Sequence, residues 1–143
     1  MIMDKFSTFS EALAITATVA SDVIDLGALG KTAYGKAQLK RDMRHSHVPL
    51  RVQVVETFNN LTSLKIAVES DDNSGFASPK ELVSETVLLA DLKAGFVSVL
   101  DKLPRSLNER YVRIKFTVVG TAPSLGKVTA FIPVANSAGI GEG

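Results

Sequence analysis

The stretch "ERYVRIKFTVVG", residues 109–120, has few ways to fold. Val112, Ile114, Phe116 and Val118 fall on one side of an extended chain, opposite Arg113 and Lys115. Successive side chains point to opposite faces in a β-strand, so the alternation predicts a strand with one face in a core and the other toward solvent. Its β-branched and aromatic residues suit that role because they pack well on a pleated surface.

The same period recurs at short intervals. "ALAITATVA" (12–20) sets Leu13, Ile15, Ala17 and Val19 against a face of small Ala and Thr side chains. "LRVQVVETF" (50–58) sets Leu50, Val52 and Val54 against Arg51 and Gln53, and "TSLKIAVES" (62–70) sets Leu64, Ile66 and Val68 against Ser63, Lys65 and Glu69. "ELVSETVLLA" (81–90), "GFVSVLD" (95–101) and "KVTAFIPV" (127–134) read as further strands. Between them stand "ESDDNSG" (69–75), "KAGF" (93–96), "LPRS" (103–106) and "GTAPSLGK" (120–127), which hold the Gly, Pro, Asn, Asp and Ser of turns. Seven or eight short strands joined by turns predict an all-β fold, an antiparallel jelly-roll-like β-sandwich of about eight strands. The strand–helix alternation of a parallel sheet is missing.

One segment breaks the rhythm. "KTAYGKAQLKRDMRHSHVP" (31–49) is polar and carries Lys31, Lys36, Lys40, Arg41 and Arg44 against Asp42 alone. Leu39 and Met43 have the i, i+4 spacing of a short helix. The whole of 31–48 reads as a long basic loop excursion from the sandwich. The expected organisation is one domain: an N-terminal arm over 1–12, the sandwich over 13–134, and a small-residue tail, "ANSAGIGEG", over 135–143.

The chemistry of enzymes is hard to place on this chain. It has no cysteine, which excludes disulfides and thiolate metal sites. "DLGALGKT" (25–32) looks briefly like a phosphate loop, but that loop needs a glycine five residues before Gly30, where Asp25 stands and would repel phosphate. His45 and His47, the only histidines, would share a strand face, yet no third metal ligand is indicated. "DDNSG" (71–75) lacks the ligand pattern of a calcium loop and reads as an Asx-type turn, with Asp71 and Asp72 solvated. No serine sits in a G-x-S-x-G elbow. The expectation is a protein without catalytic, metal or cofactor site. Sixteen basic and fifteen acidic residues argue against nucleic-acid binding, and the uncharged run Ala12–Ser21 is too short to span a bilayer. With Asp4 before Lys5 and Glu11 following, the start reads as a mature N-terminus.

Three stretches carry a family likeness. "MIMDKFSTFSEALAITATVASDVIDLG" (1–27), "PLRVQVVETF" (49–58) and "LPRSLNERYVRIKFTVVGTAPSLGKVTAFI" (103–132) together resemble the Bbp16-like capsid cement proteins of tailed bacteriophages. The departures are a longer, more basic 31–48 and Ser106–Leu107 where glycine is common. The resemblance implies a jelly-roll sandwich on the outer surface of an icosahedral head, made in the host bacterial cytoplasm. It implies an HK97-like major capsid protein as partner, and a homo-oligomer, dimer rather than trimer. Contact is expected through 1–12 and 31–48, with Phe6 and Phe9 as apolar anchors and Lys36, Lys40, Arg41 and Arg44 as electrostatic ones. Phe6 and Phe9 have an alternative place in the protein's own core. The competing function is a carbohydrate- or receptor-binding module of a virion, for which the chain offers no Trp and only Tyr34 and Tyr111.

Overall fold

The alternating segments pair much as their period requires. The computed structural model describes residues 8–27, 48–104 and 106–133. In chain order the strands are β1 (Thr8–Ala14), β2 (Val19–Ala20), β3 (Ile24–Asp25), β4 (Arg51–Glu56), β5 (Leu61–Asp71), β6 (Lys80–Leu88), β7 (Tyr111–Gly120) and β8 (Lys127–Phe131). Every pairing is antiparallel. The smaller sheet has the order β1-β8-β4 and the larger β2-β7-β5-β6, with β3 continuing β2 along the same edge of β7.

Segment 95–101 joins the smaller sheet beside β4. Val54 N donates to Phe96 O (2.9 Å), Ser98 N donates to Val52 O (2.8 Å), and Gln53 stands opposite Val97. With β2 and β3 counted as one interrupted edge strand, each layer then has four members, and β4 to β5 and β7 to β8 both cross between layers. That is a jelly roll.

The core lies where the alternation placed it. Leu50, Val52 and Val54, then Leu64, Ile66 and Val68, then Val112, Ile114 and Phe116 are all buried, with Val128 and Ala130 facing them. Each such side chain contributes about 1.5–3 kcal/mol on leaving water. β5 is buried on both faces, since Ala67 and Glu69 on its outer side are also covered.

Three expectations are corrected. Residues 12–20 are not one strand: β1 ends at Ala14, the chain bends through 16–18, and β2 begins at Val19 in the other sheet. Ile15, whose N–H donates to Gly126 O (3.0 Å), marks the corner. Alternation persists through the bend because small residues tolerate either geometry. The sandwich also begins by Thr8 rather than Leu13, so 8–12 of the expected arm belong to β1. Segment 95–101 pairs only through an isolated bridge and adjacent hydrogen bonds, and forms no regular strand.

Two serines repair irregular pairing. Between β2 and β3 the register against β7 slips by one residue, from Ala20↔Lys115 to Ile24↔Val112. Buried Ser21 spans the slip: its N–H donates to Ile114 O (2.8 Å) and its Oγ accepts from Ile114 N (2.9 Å). Ser10 does the same on β8, where its Oγ donates to Val128 O and accepts from Ala130 N. A hydroxyl both donates and accepts, so it replaces the missing ladder partners.

Candidate interaction surface

Strand register brings Gly27 and Val48, the residues that flank the basic segment 28–47, to one end of the sandwich. In the larger sheet Asp25 and Asp71 both stand opposite Tyr111, and in the smaller sheet Thr8 and Arg51 both stand opposite Phe131. Gly27 and Val48 lie near these positions, held by Leu26 N donating to Arg110 O and Leu103 N donating to Val48 O. The 72–79 turn and the 102–110 connection close the same end. Among the described residues the opposite end holds only the short connections 15–18, 57–60, 89–94 and 121–126.

This first end is built on ion pairs. Arg110 donates from Nε and Nη2 to the two oxygens of Asp25 at 2.8 and 2.9 Å, a bidentate fork on the side of β3. The Arg110 pKa is raised, chiefly by that hydrogen bond. Asp25 Oδ1 also accepts from Gly27 N (2.8 Å), where a φ of +87° makes glycine apt. The amide that a phosphate would need at this turn is therefore already taken by a carboxylate. Lys80 meets Glu109 at 3.0 Å, and the Arg110 guanidinium lies 5.1 Å from the Tyr111 ring.

The 72–79 turn is more ordered than an exposed Asx turn. Asp71 is buried; its carboxylate accepts from Ser78 N (2.8 Å) and Asn73 N (3.2 Å), while Asn73 Oδ1 accepts from Gly75 N (2.7 Å). The Ser78 amide in particular holds the Asp71 pKa below its usual value. Asp72 is pushed upward, first by its hydrogen bond to Asp71, then by burial and the charges of Asp71 and Glu109. So folded, the turn lays the Phe76 ring 4.1 Å from the Arg113 guanidinium, which pairs with buried Glu69 at 3.0 Å. The Asx geometry is as expected, but Asp71 is an internal brace, because the turn folds back over the outer face of β5.

Of the residues singled out for partner contact, only Phe9 is described. It is 0% exposed and belongs to the core, so it anchors the sandwich and cannot dock a partner. Its place follows from β1 starting early enough to face it inward. Phe6, Lys36, Lys40, Arg41 and Arg44 lie outside the described residues, as do His45 and His47. Asp25, Glu109 and Arg110 were not anticipated at this end; the charged dipeptide just before "YVRIKF" is the signal that marks it.

Elsewhere, a groove between β1 and β2 is lined by Phe9, Ser10, Glu11, Leu13, Ala20, Ser21 and Asp22. At about 230 Å³ it is smaller than the usual small-molecule pocket of roughly 300–1,000 Å³. Among the described residues no group of three or more His, Asp or Glu side chains is placed to hold a metal ion. A protein-family model described as Bbp16 matches residues 9–132, which takes in every strand of the sandwich. No curated protein matches the chain.

Proposed function

The chain belongs to the Bbp16 family, and on that premise we propose that it is a bacteriophage capsid cement protein. In this reading it sits on the outside of an icosahedral head and clamps neighbouring subunits of an HK97-like major capsid protein. Family membership is consistent with a phage-associated structural protein, and the cement role is the specific form of that class.

The observation that carries the reading is the concentration of basic residues in 28–47, whose flanking residues Gly27 and Val48 are brought to one end of a braced sandwich. Segment 28–47 holds five basic residues and one acidic, whereas the rest of the chain holds eleven basic and fourteen acidic. The cations are thus concentrated in one excursion of an otherwise mildly acidic chain, an arrangement that steers association with an acidic surface. Phe6, Lys36, Lys40, Arg41 and Arg44 are the proposed contact groups. Copies repeated over a lattice, as dimers, reinforce one another even when each contact is weak. Binding to the assembled shell alone stabilises it by mass action. No catalysis is required, and neither nucleic acid nor membrane is a partner.

The test is co-sedimentation with heads that lack the protein. Stoichiometric binding to shells is the expected result; binding to glycan arrays but not shells would replace this reading with a carbohydrate-binding module. Substituting Lys36, Lys40, Arg41 and Arg44 together by Ala should weaken binding and flatten its dependence on salt. Unchanged decoration at every ionic strength would show that the excursion takes no part.

A further inference from the structure

Strand edges are where a sandwich is open to another chain, and the edges here are guarded unequally. β1 is tied across to the other sheet by Asp22 N donating to Phe9 O (2.9 Å). β6 carries Lys80, Glu81 and Glu85, and Glu85 points inward, a placement that discourages further pairing. Segment 96–100 has neither charge nor proline.

Its free groups follow from ladder geometry. The bonds from Val54 N to Phe96 O and from Ser98 N to Val52 O flank the Gln53–Val97 pair, which makes it a non-hydrogen-bonded pair. The N–H and C=O of Val97 therefore point away from β4, and neither has a partner among the described residues. The next outward donor, Val99 N, is taken by Glu85 Oε2 (3.3 Å), which also accepts from Ser98 Oγ. Val97 and Val99 share the outer face and are 40% and 73% exposed, the latter the most exposed large apolar side chain described.

We propose that the edge at Val97–Val99 is a docking site for an extended segment of the shell protein, which adds there as a short β-strand. This rests on the cement reading. An unmatched N–H and C=O select an extended backbone, and the flanking valines select an uncharged segment. The edge is only two residues long, far below the roughly 800 Å² per partner of a stable pairwise complex. It cannot hold two free copies together, but it suits an arm engaged by many copies on one lattice. Glu85 limits the site's length by occupying the adjacent amide.

The experiment compares wild type, Val97→Pro and Val97→Lys for co-sedimentation with heads lacking the protein, alongside hydrogen exchange at the Val97 amide. Proline removes the outward donor and leaves the bonds to β4 in place; lysine keeps the donor and adds a charge. Both variants should bind roughly tenfold more weakly, and the Val97 amide should exchange quickly in the free protein and slowly on shells. If thermal melting shows Val97→Pro to be misfolded, the lysine variant and the exchange data decide. Wild type failing to sediment with shells would overturn the cement reading itself. Wild type binding while both variants bind equally well and the amide stays unprotected would overturn the edge alone. A dimer in shell-free solution that Val97→Lys abolishes would reassign the edge to a second copy.

Discussion

The two ends of the sandwich combine the same kinds of contact in different proportions. At the end with short connections, side chains are locked onto main chain. Asn59 Oδ1 accepts from Ser124 N (2.9 Å) and Leu125 N (3.0 Å), Glu56 Oε1 accepts from Gly126 N (3.0 Å), and Thr57 Oγ1 accepts from Ala94 N (3.1 Å). Phe58 packs directly over Gly126, whose φ is +134°. At the other end Asp71 likewise holds the amides of Ser78 and Asn73, but the outermost contacts are the Asp25–Arg110 and Lys80–Glu109 pairs, which are partly solvated. Solvated ion pairs contribute little to stability and rearrange cheaply. The contrast separates an end whose connections are locked onto main chain from one whose outermost contacts are exposed ion pairs.

The sharpest challenge to this contrast is Gly126→Ala. A methyl there overlaps the Phe58 ring, and the backbone conformation disfavours any side chain. The expected loss is about 3 kcal/mol or more, read from denaturant unfolding. A near-neutral result would mean the short-loop end is not tightly locked.

Acid titration probes the same end more gently. The Glu56 pKa is lowered, first by the Gly126 amide and then by Lys127. A carboxyl lowered in the folded state contributes stability that is present above its unfolded value near 4.5 and is lost as pH falls through its folded one. Glu56→Gln keeps an acceptor for Gly126 but cannot titrate. Its melting temperature should lie slightly below wild type near neutral pH and converge with it as pH falls below about 4.5; parallel curves would remove the carboxylate from the account.

The smallest effect is expected from Asp25→Asn, which breaks the fork to Arg110 while leaving an acceptor for Gly27. Its melting temperature should stay close to that of wild type, since both partners are over 40% exposed. A loss as large as that of Gly126→Ala would erase the distinction between the ends.

Legibility in the sequence differed from segment to segment. The alternation in 50–54, 64–68 and 112–116 identified core residues correctly because a two-residue period on a half-buried strand has no competing explanation. It failed at 12–20, where Leu13, Ile15 and Val19 keep the period while the chain turns a corner between sheets. At Phe9 it left two places open, a partner anchor or the protein's own core, and the early start of β1 decides for the core. Asp71 looked solvated because its burial depends on the turn after it folding back. The basic character of 28–47 was visible as composition, but that its flanking residues Gly27 and Val48 share one end of the sandwich follows only from pairing.

Local pattern by itself therefore determined the fold class, the inward faces of the long strands and the charge carried by 28–47. These depend on spacing and side-chain type, which are properties of the chain taken a few residues at a time. The three-dimensional fold alone decided that Ser21 mends a slipped register, that Asp25 clasps Arg110 and that Val97 keeps an unpaired amide. Each of those pairings, or its absence, is set by partners or neighbours far along the chain, and a strand's own residues do not specify what lies beside it.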